Sequence, residues 1–157
     1  YMVRQRVGNS HDTEVLGARF ASWVTFIWVN DASNLLFALK DAIAAGGSVA
    51  LKCDRLEFSA KTEAFDFLGA RRLFPFTIYH LALIFRRPVV LSLGLPAGPG
   101  HSTVVSSPQF RPDESGKPAN LARARVHFQE FLARIEAYLR DDPLLWFNFT
   151  PLNPPAP

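Results

Sequence analysis

The residues of this 157-residue chain best suited to chemistry are its arginines, 13 of them against four lysines. Each guanidinium presents a planar fork that meets phosphate or carboxylate at two points. Arg71 and Arg72 lie just before Phe74-Pro75-Phe76-Thr77. A helix starting there would offer free backbone amides to an anion, with the Thr77 hydroxyl as a further donor. Asp54 and Arg55 stand at the C-terminal end of an apolar strand, the edge where open α/β sheets hold ligands. Each feature has a plainer alternative: a proline-initiated buried helix for the first and a loop cap for the second. The four histidines, His11, His80, His101 and His127, read as surface or core-rim imidazoles. Cys53, inside an apolar run, reads as buried filler rather than a nucleophile. The sequence holds no glycine-rich phosphate loop, paired-cysteine spacing or metal-ligand cluster, so metal-dependent chemistry is not expected.

The elements that must position these residues belong to an ordinary globular chain. With 48% apolar and 20% charged residues it can bury one sizeable core. The formal charge of +3 and pI near 9.4 are too mild to require nucleic acid, and no aromatic-basic interleaving supports that partner. A single cysteine excludes an internal disulfide and fits a reducing compartment. No apolar run approaches the roughly 18 to 20 residues that span a bilayer, and no secretory signal is visible. The chain opens on Tyr1 at what reads as the end of a strand, so a longer parent with an upstream segment is expected.

Periodicity predicts strands alternating with helices. Val24 to Val29 reads as a strand, with Asn30-Asp31 as helix-capping candidates. Leu35, Leu36, Leu39 and Ile43 recur at helical spacing until Gly46-Gly47, and Ser48 to Cys53 reads as a second buried strand. A crossover of this length implies a parallel pair. Glu63 to Phe67 alternates as a half-exposed strand, and Gly69 with Arg71-Arg72 reads as a turn. The helix over Phe76 to Phe85 is apolar nearly all round, which predicts packing on both sides. Val89 to Leu95 reads as the most central strand, His101 to Ser106 as its antiparallel neighbour. The last helix, about Ala119 to Arg140, carries Leu121, Ala124, Phe128, Phe131, Ile135 and Tyr138 on one face. Glu130 with Arg134 and Glu136 with Arg140 stand at i,i+4 spacing on the other. The expected organisation is one domain over 1–150 and a loose tail over 151–157, four of whose seven residues are proline.

In this order the residues resemble a known family. Strand, helix, Gly46-Gly47, a strand ending in Asp54-Arg55, Phe67-Leu68-Gly69, Phe74-Pro75, an apolar helix and Arg87-Pro88-Val89-Val90 resemble the C-terminal portion of the lysophospholipid acyltransferase superfamily. Asp141-Asp142-Pro143 followed by Trp146-Phe147 is similar to the ending of its lipid A lauroyl and myristoyl acyltransferase branch. The likeness runs from about Val3 to Phe149.

The resemblance implies an acyltransferase-like α/β fold, a mixed and mostly parallel sheet flanked by helices. It implies transfer of a fatty acyl chain from an acyl carrier protein or coenzyme A thioester to a hydroxyl of a lipid or glycolipid acceptor. No bound cofactor is expected. The expected place of work is the cytoplasmic face of the bacterial inner membrane, in peripheral contact with anionic lipid. Family chemistry uses a histidine with Asp or Glu five positions on, the imidazole acting as general base. Here those positions hold Leu16, Phe85, Ser106 and Leu132, so no catalytic residue is visible and the motif is expected upstream of Tyr1. The alternative is a non-catalytic module of the same fold that binds lipid or acyl carrier protein. By resemblance Arg4 meets the polar head of a substrate, Asp54-Arg55 matches the second sequence block and Phe74 to Thr77 the third. Arg71 and Arg72 add positive charge for an acidic head group. Phe65, Phe67, Phe74, Trp146 and Phe147 are candidates for walls of an acyl groove.

Overall fold

Among the described residues, strands of three to six residues pair two at a time and build three small sheets. The computed structural model describes residues 1–4, 15, 17–29, 35–56, 59 and 61–146. The chain divides into two compact units, Tyr1–Lys52 and Cys53–Pro157. Asn9, His11, Asn30, Asp31, Phe147 and the tail over 151–157 lie outside the described residues.

In the first unit β1 (Met2–Arg4) pairs in parallel with β2 (Phe26–Trp28), with Val3 opposite Ile27. Helix α1 (Leu35–Ala44) follows, and the chain then turns at Gly46, whose φ of +79° suits glycine. Gly47 is needed for space, since a Cβ there would stand 2.5 Å from the Tyr1 ring and 2.9 Å from the Ala42 carbonyl oxygen. Beyond it Ala50 forms a parallel bridge to Met2 on the other side of β1. The parallel crossover is thus present, but β1 lies between its two ends. The expected strand over Val24 to Val29 is shortened to three residues, and that over Ser48 to Cys53 is reduced to the bridge at Ala50. Helix α1 buries Leu39 and Ala42, while Leu36 and Phe37 face outward.

The second unit opens with a hairpin, β3 (Thr62–Phe67) and β4 (Ala70–Pro75), joined by Leu68-Gly69. Both turn residues have positive φ, 51° and 73°, the backbone twist that two-residue hairpins prefer. The stretch expected to turn at Arg71-Arg72 is therefore strand, and both arginines are ladder residues. Helix α2 (Thr77–Phe85) ends at Arg86 in a left-handed conformation, whose N–H bonds the Ala82 carbonyl, just before Pro88. It buries Tyr79 and Ala82 but leaves Ile84 64% exposed, so one face is packed and not both. Strands β5 (Ser92–Pro96) and β6 (Ser102–Ser106) form an antiparallel pair, and reciprocal 2.9 Å hydrogen bonds join Val89 to Phe110. Val89 to Leu95, expected to be central, is one arm of this narrow ribbon. Helix α3 (Lys117–Asp141) is followed by a 3-10 turn, Pro143–Leu145, at whose start the Asp142 side chain accepts from the Leu144 N–H.

One core holds the second unit together. Phe65, Phe67 and Phe74 from the hairpin meet Phe76 and Tyr79 from the start of α2 and Phe128 and Phe131 from α3. The α3 stripe is the expected one in Leu121, Ala124, Phe128 and Phe131, with Leu132 and Leu139 buried as well and Tyr138 left half-buried. The mixed α/β class therefore holds. The mostly parallel sheet does not: among the described residues two of three sheets are antiparallel. Short connections between neighbouring strands allow only an antiparallel return.

Candidate functional site

The start of α2 is fixed by hydroxyls and by a fully buried ring. Phe76, at 0% exposure, precedes the helix, and its N–H donates to the Lys61 carbonyl at 2.8 Å. Thr77 Oγ1 lies 2.8 Å from Ser59 Oγ and accepts from the Lys61 N–H at 3.1 Å. Ser59 Oγ donates to the Lys61 carbonyl at 2.6 Å. The loop before β3 is thereby tied across the entry of the helix through the Lys61 backbone. The Thr77 hydroxyl expected to meet an anion is part of this tie.

His80 stands one turn further along α2 on the Thr77 face. Its ring lies edge-on to Phe76 at 6.1 Å, and the Arg125 guanidinium of α3 lies 6.0 Å from the same Phe76 ring. Arg125 is gripped at two points by Glu63 of β3, at 2.5 and 2.9 Å. Burial depresses the His80 pKa below its usual 6.5, and the positive charge of Lys117 lowers it further, joined by Lys61 and Arg125. Glu63 alone opposes this. His80 thus sits in a field of three cations and one carboxylate. Among the described residues Lys61 and Lys117 make no ion pair, so the patch has a net positive charge open to an oxyanion.

The residues singled out from the sequence separate. Arg4, in the first unit, lies on β1 with its guanidinium 5.7 Å from the Phe26 ring centroid. Asp54 and Arg55 are half-buried in the segment before β3. Arg71 pairs with Asp66 across the hairpin at 3.3 Å and donates to the Ala64 carbonyl at 2.7 Å. Arg72 donates to the Phe67 carbonyl at 3.2 Å. Both therefore make contacts within their own hairpin. Phe74, 3% exposed, packs in the core with Phe65 and Phe67, and Trp146 meets Phe67 edge-on at 5.5 Å. Of the expected set, Thr77 adjoins the cationic patch.

Sequence reasoning did not single out His80, Lys61, Lys117, Arg125 and Glu63. A signal existed in the helix spacing, since Thr77 and His80 fall three apart and Lys117 and Arg125 about two turns apart. Glu63 needed the β3 register, which no local pattern supplies.

Elsewhere the second unit uses its polar groups for structure. A groove of 230 Å³ between the end of α2 and the start of α3 is lined by Leu83, Arg86, Asp113, Glu114, Lys117 and Asn120, among others. Asn120 is buried there and ties the chain down, accepting from the Asp113 N–H at 3.0 Å and donating to the Asp113 and Gly116 carbonyls, each at 2.9 Å. Among the described residues no histidine is hydrogen-bonded to a carboxylate, and no group of three or more His, Cys, Asp or Glu could hold a metal. None of the described helices is long and apolar enough to cross a membrane.

No family model, curated protein or solved structure matches the chain.

Proposed function

We propose that this chain holds the phosphate-bearing head group of a lipid or glycolipid, as the acceptor-binding part of an O-acyltransferase with an acyltransferase-like fold. The observation that supports the head-group reading is the cationic patch of Lys61, His80, Lys117 and Arg125 along α2. In the transfer the acceptor hydroxyl oxygen attacks the thioester carbonyl of an acyl carrier protein or coenzyme A donor. The C–S bond breaks, a base takes the hydroxyl proton and the thiol leaves with a proton. The base and its carboxylate are expected outside these residues. The proposed setting is the cytoplasmic face of the bacterial inner membrane, in peripheral contact with anionic lipid.

A second reading is a lipid- or acyl-carrier-protein-binding module without turnover. It is favoured by the absence, among the described residues, of a histidine bonded to a carboxylate. One experiment separates the readings: incubate the full-length protein with acyl carrier protein carrying a labelled acyl chain and with lipid A precursor, then follow both binding and label by mass spectrometry. Labelled lipid supports the enzyme, and lipid binding without label supports the module. Failure to bind either anionic lipid or acyl carrier protein would overturn both.

A further inference from the structure

Among the described residues the Glu63–Arg125 pair is the ion pair in the cationic patch that a bound anion would have to compete with. Arg125 reaches Glu63 through both Nε and a terminal nitrogen, the two-point geometry a phosphate also offers. The pair is partly open to solvent, with the Arg125 and Glu63 side chains 47% and 23% exposed, so an exchange of partners need not open the core. Behind it the Arg125 guanidinium and the His80 ring both lie against the Phe76 ring, 6.0 and 6.1 Å from its centroid. The Lys61 backbone N–H bonds the Thr77 hydroxyl at the entry of α2, Lys117 is the first residue of α3, and the charges of both bear on His80. Among the described residues the charged groups that act on His80 are Lys61, Glu63, Lys117 and Arg125, and of these Glu63 is the negative one.

We propose that a phosphate oxyanion bound among Lys61, His80, Lys117 and Arg125 displaces Glu63 from Arg125 and is held together with one proton taken up by His80. This rests on the head-group reading above and adds its regulation: Glu63 occupies the site when it is empty, and acidification favours the filled state. The sign follows from the surrounding charges. In the empty site burial and three cations disfavour the charged imidazole and hold its pKa below 6.5. An anion cancels part of that field and raises the pKa, so proton and anion bind cooperatively. Affinity then rises as pH falls through the pKa of the complex and levels off below that of the empty site. A rise of about one unit between empty and filled states corresponds to about tenfold tighter binding at the acid end.

The test uses vesicles of phosphatidylcholine with and without phosphatidylglycerol, whose phosphodiester does not titrate between about pH 5 and 8. Binding of the protein is measured by co-sedimentation across that range, and the His80 ring is followed by NMR titration with the same lipid as monomers or with inorganic phosphate. The expected result is selective binding to phosphatidylglycerol that strengthens towards acid and an upward move of the His80 pKa in the complex. Glu63→Gln is expected to bind several-fold more tightly, and His80→Asn to lose the pH dependence. A response to inorganic phosphate equal to that to lipid would support the same site with phosphate alone as the recognised group. Binding that is the same for Glu63→Gln and flat in pH would overturn this inference and leave the head-group reading standing. No binding by either the parent or Glu63→Gln, with native spectra for both, would overturn the head-group reading itself. Lys117→Gln is the second check: several-fold weaker binding is expected, and unchanged binding counts against the site.

Discussion

The Tyr79 hydroxyl lies 2.6 Å from Nδ1 of His127, and Nε2 of the same ring lies 2.7 Å from the Pro108 carbonyl oxygen. A carbonyl can only accept, so Nε2 carries a hydrogen, and in the neutral ring Nδ1 accepts from the tyrosine. Burial pushes the Tyr79 hydroxyl well above the usual tyrosine range, and a Cys53 thiolate would push it further, so it stays a donor at all ordinary pH. Tyr79→Phe leaves the imidazole nitrogen without its donor at the edge of the core. The expected cost is about 1–3 kcal/mol, read as a lower urea midpoint at unchanged slope. Nitrogen chemical shifts of His127 in the parent should report the Nε2–H tautomer, and the opposite tautomer would contradict this assignment.

The two turn residues of the β3–β4 hairpin both need positive φ, yet the first of them is Leu68. A leucine is disfavoured there because its Cβ crowds the backbone, whereas Asn-Gly is the preferred pair for such a loop. The Leu68 side chain is exposed, and its backbone N–H, which donates to Glu136, is kept on substitution. Leu68→Asn is expected to stabilise the second unit by about 0.5–1 kcal/mol. A higher thermal midpoint would bear this out, and a lower one would mean that the leucine contributes packing not evident from its exposure.

What could be read ahead of the structure followed local periodicity. The final helix, the apolar helix before it and the half-exposed strand over Glu63 to Phe67 all appear close to their expected bounds, because their spacing is strong and their ends carry turn residues. The strand at Arg71-Arg72 was hidden because charged residues on a hairpin resemble a loop, and its pairing with Thr62–Phe67 is set by the Leu68-Gly69 turn. Sheet membership was the least legible feature. A run such as Val89 to Leu95 looks the same whether it has neighbours on both sides or, as here, forms one arm of a ribbon. The cationic patch draws on β3, α2, α3 and a loop, so only the fold assembles it.

Cys53 is half-buried against the core and its thiol is pushed up to about 12, first by burial and then by the neighbouring Asp54 carboxylate. At pH 8 the thiolate fraction is then on the order of 10⁻⁴, and the thiolate is the nucleophile. Iodoacetamide should therefore leave Cys53 almost unlabelled in the native protein and label it rapidly in urea. Fast native labelling would mean that the segment before β3 opens readily.

At the start of α3 the Asp113 side chain accepts from the Ser115 hydroxyl and backbone N–H and from Arg123, and these contacts hold its pKa below the ordinary 3.8, the Ser115 bonds foremost. Because the folded value is the lower one, the contribution to stability is present above the unfolded pKa and is lost as pH falls through the folded value. Asp113→Asn is expected to be less stable than the parent at pH 6. The gap should narrow once the pH drops below 3.8, as the parent's own carboxylate becomes protonated. Urea titrations of both proteins at the two pH values check this, and a gap independent of pH would assign the effect to hydrogen-bond geometry rather than to charge.

Phe128 is the residue on which the core of the second unit converges. Its ring centroid lies 4.7 Å from that of Phe65, 5.7 Å from Phe74 and 6.1 Å from both Phe76 and Tyr79, so it joins α3 to the hairpin and to the entry of α2. At 3% exposure nothing replaces it when it is truncated, and the rigid neighbouring rings cannot close the gap. Phe128→Ala is expected to cost about 3–5 kcal/mol, a large share of the roughly 5–15 kcal/mol available to a small domain. Phe128→Leu retains most of the volume and should cost less than the alanine change. The Phe76 ring supports both His80 and Arg125, so the alanine variant should also disturb the cationic patch where it remains folded. Fluorescence-monitored urea unfolding and the His80 NMR signal, measured on both variants, check the two effects separately. Equal losses of stability for alanine and leucine would show that ring stacking, and not filled volume, is what Phe128 supplies.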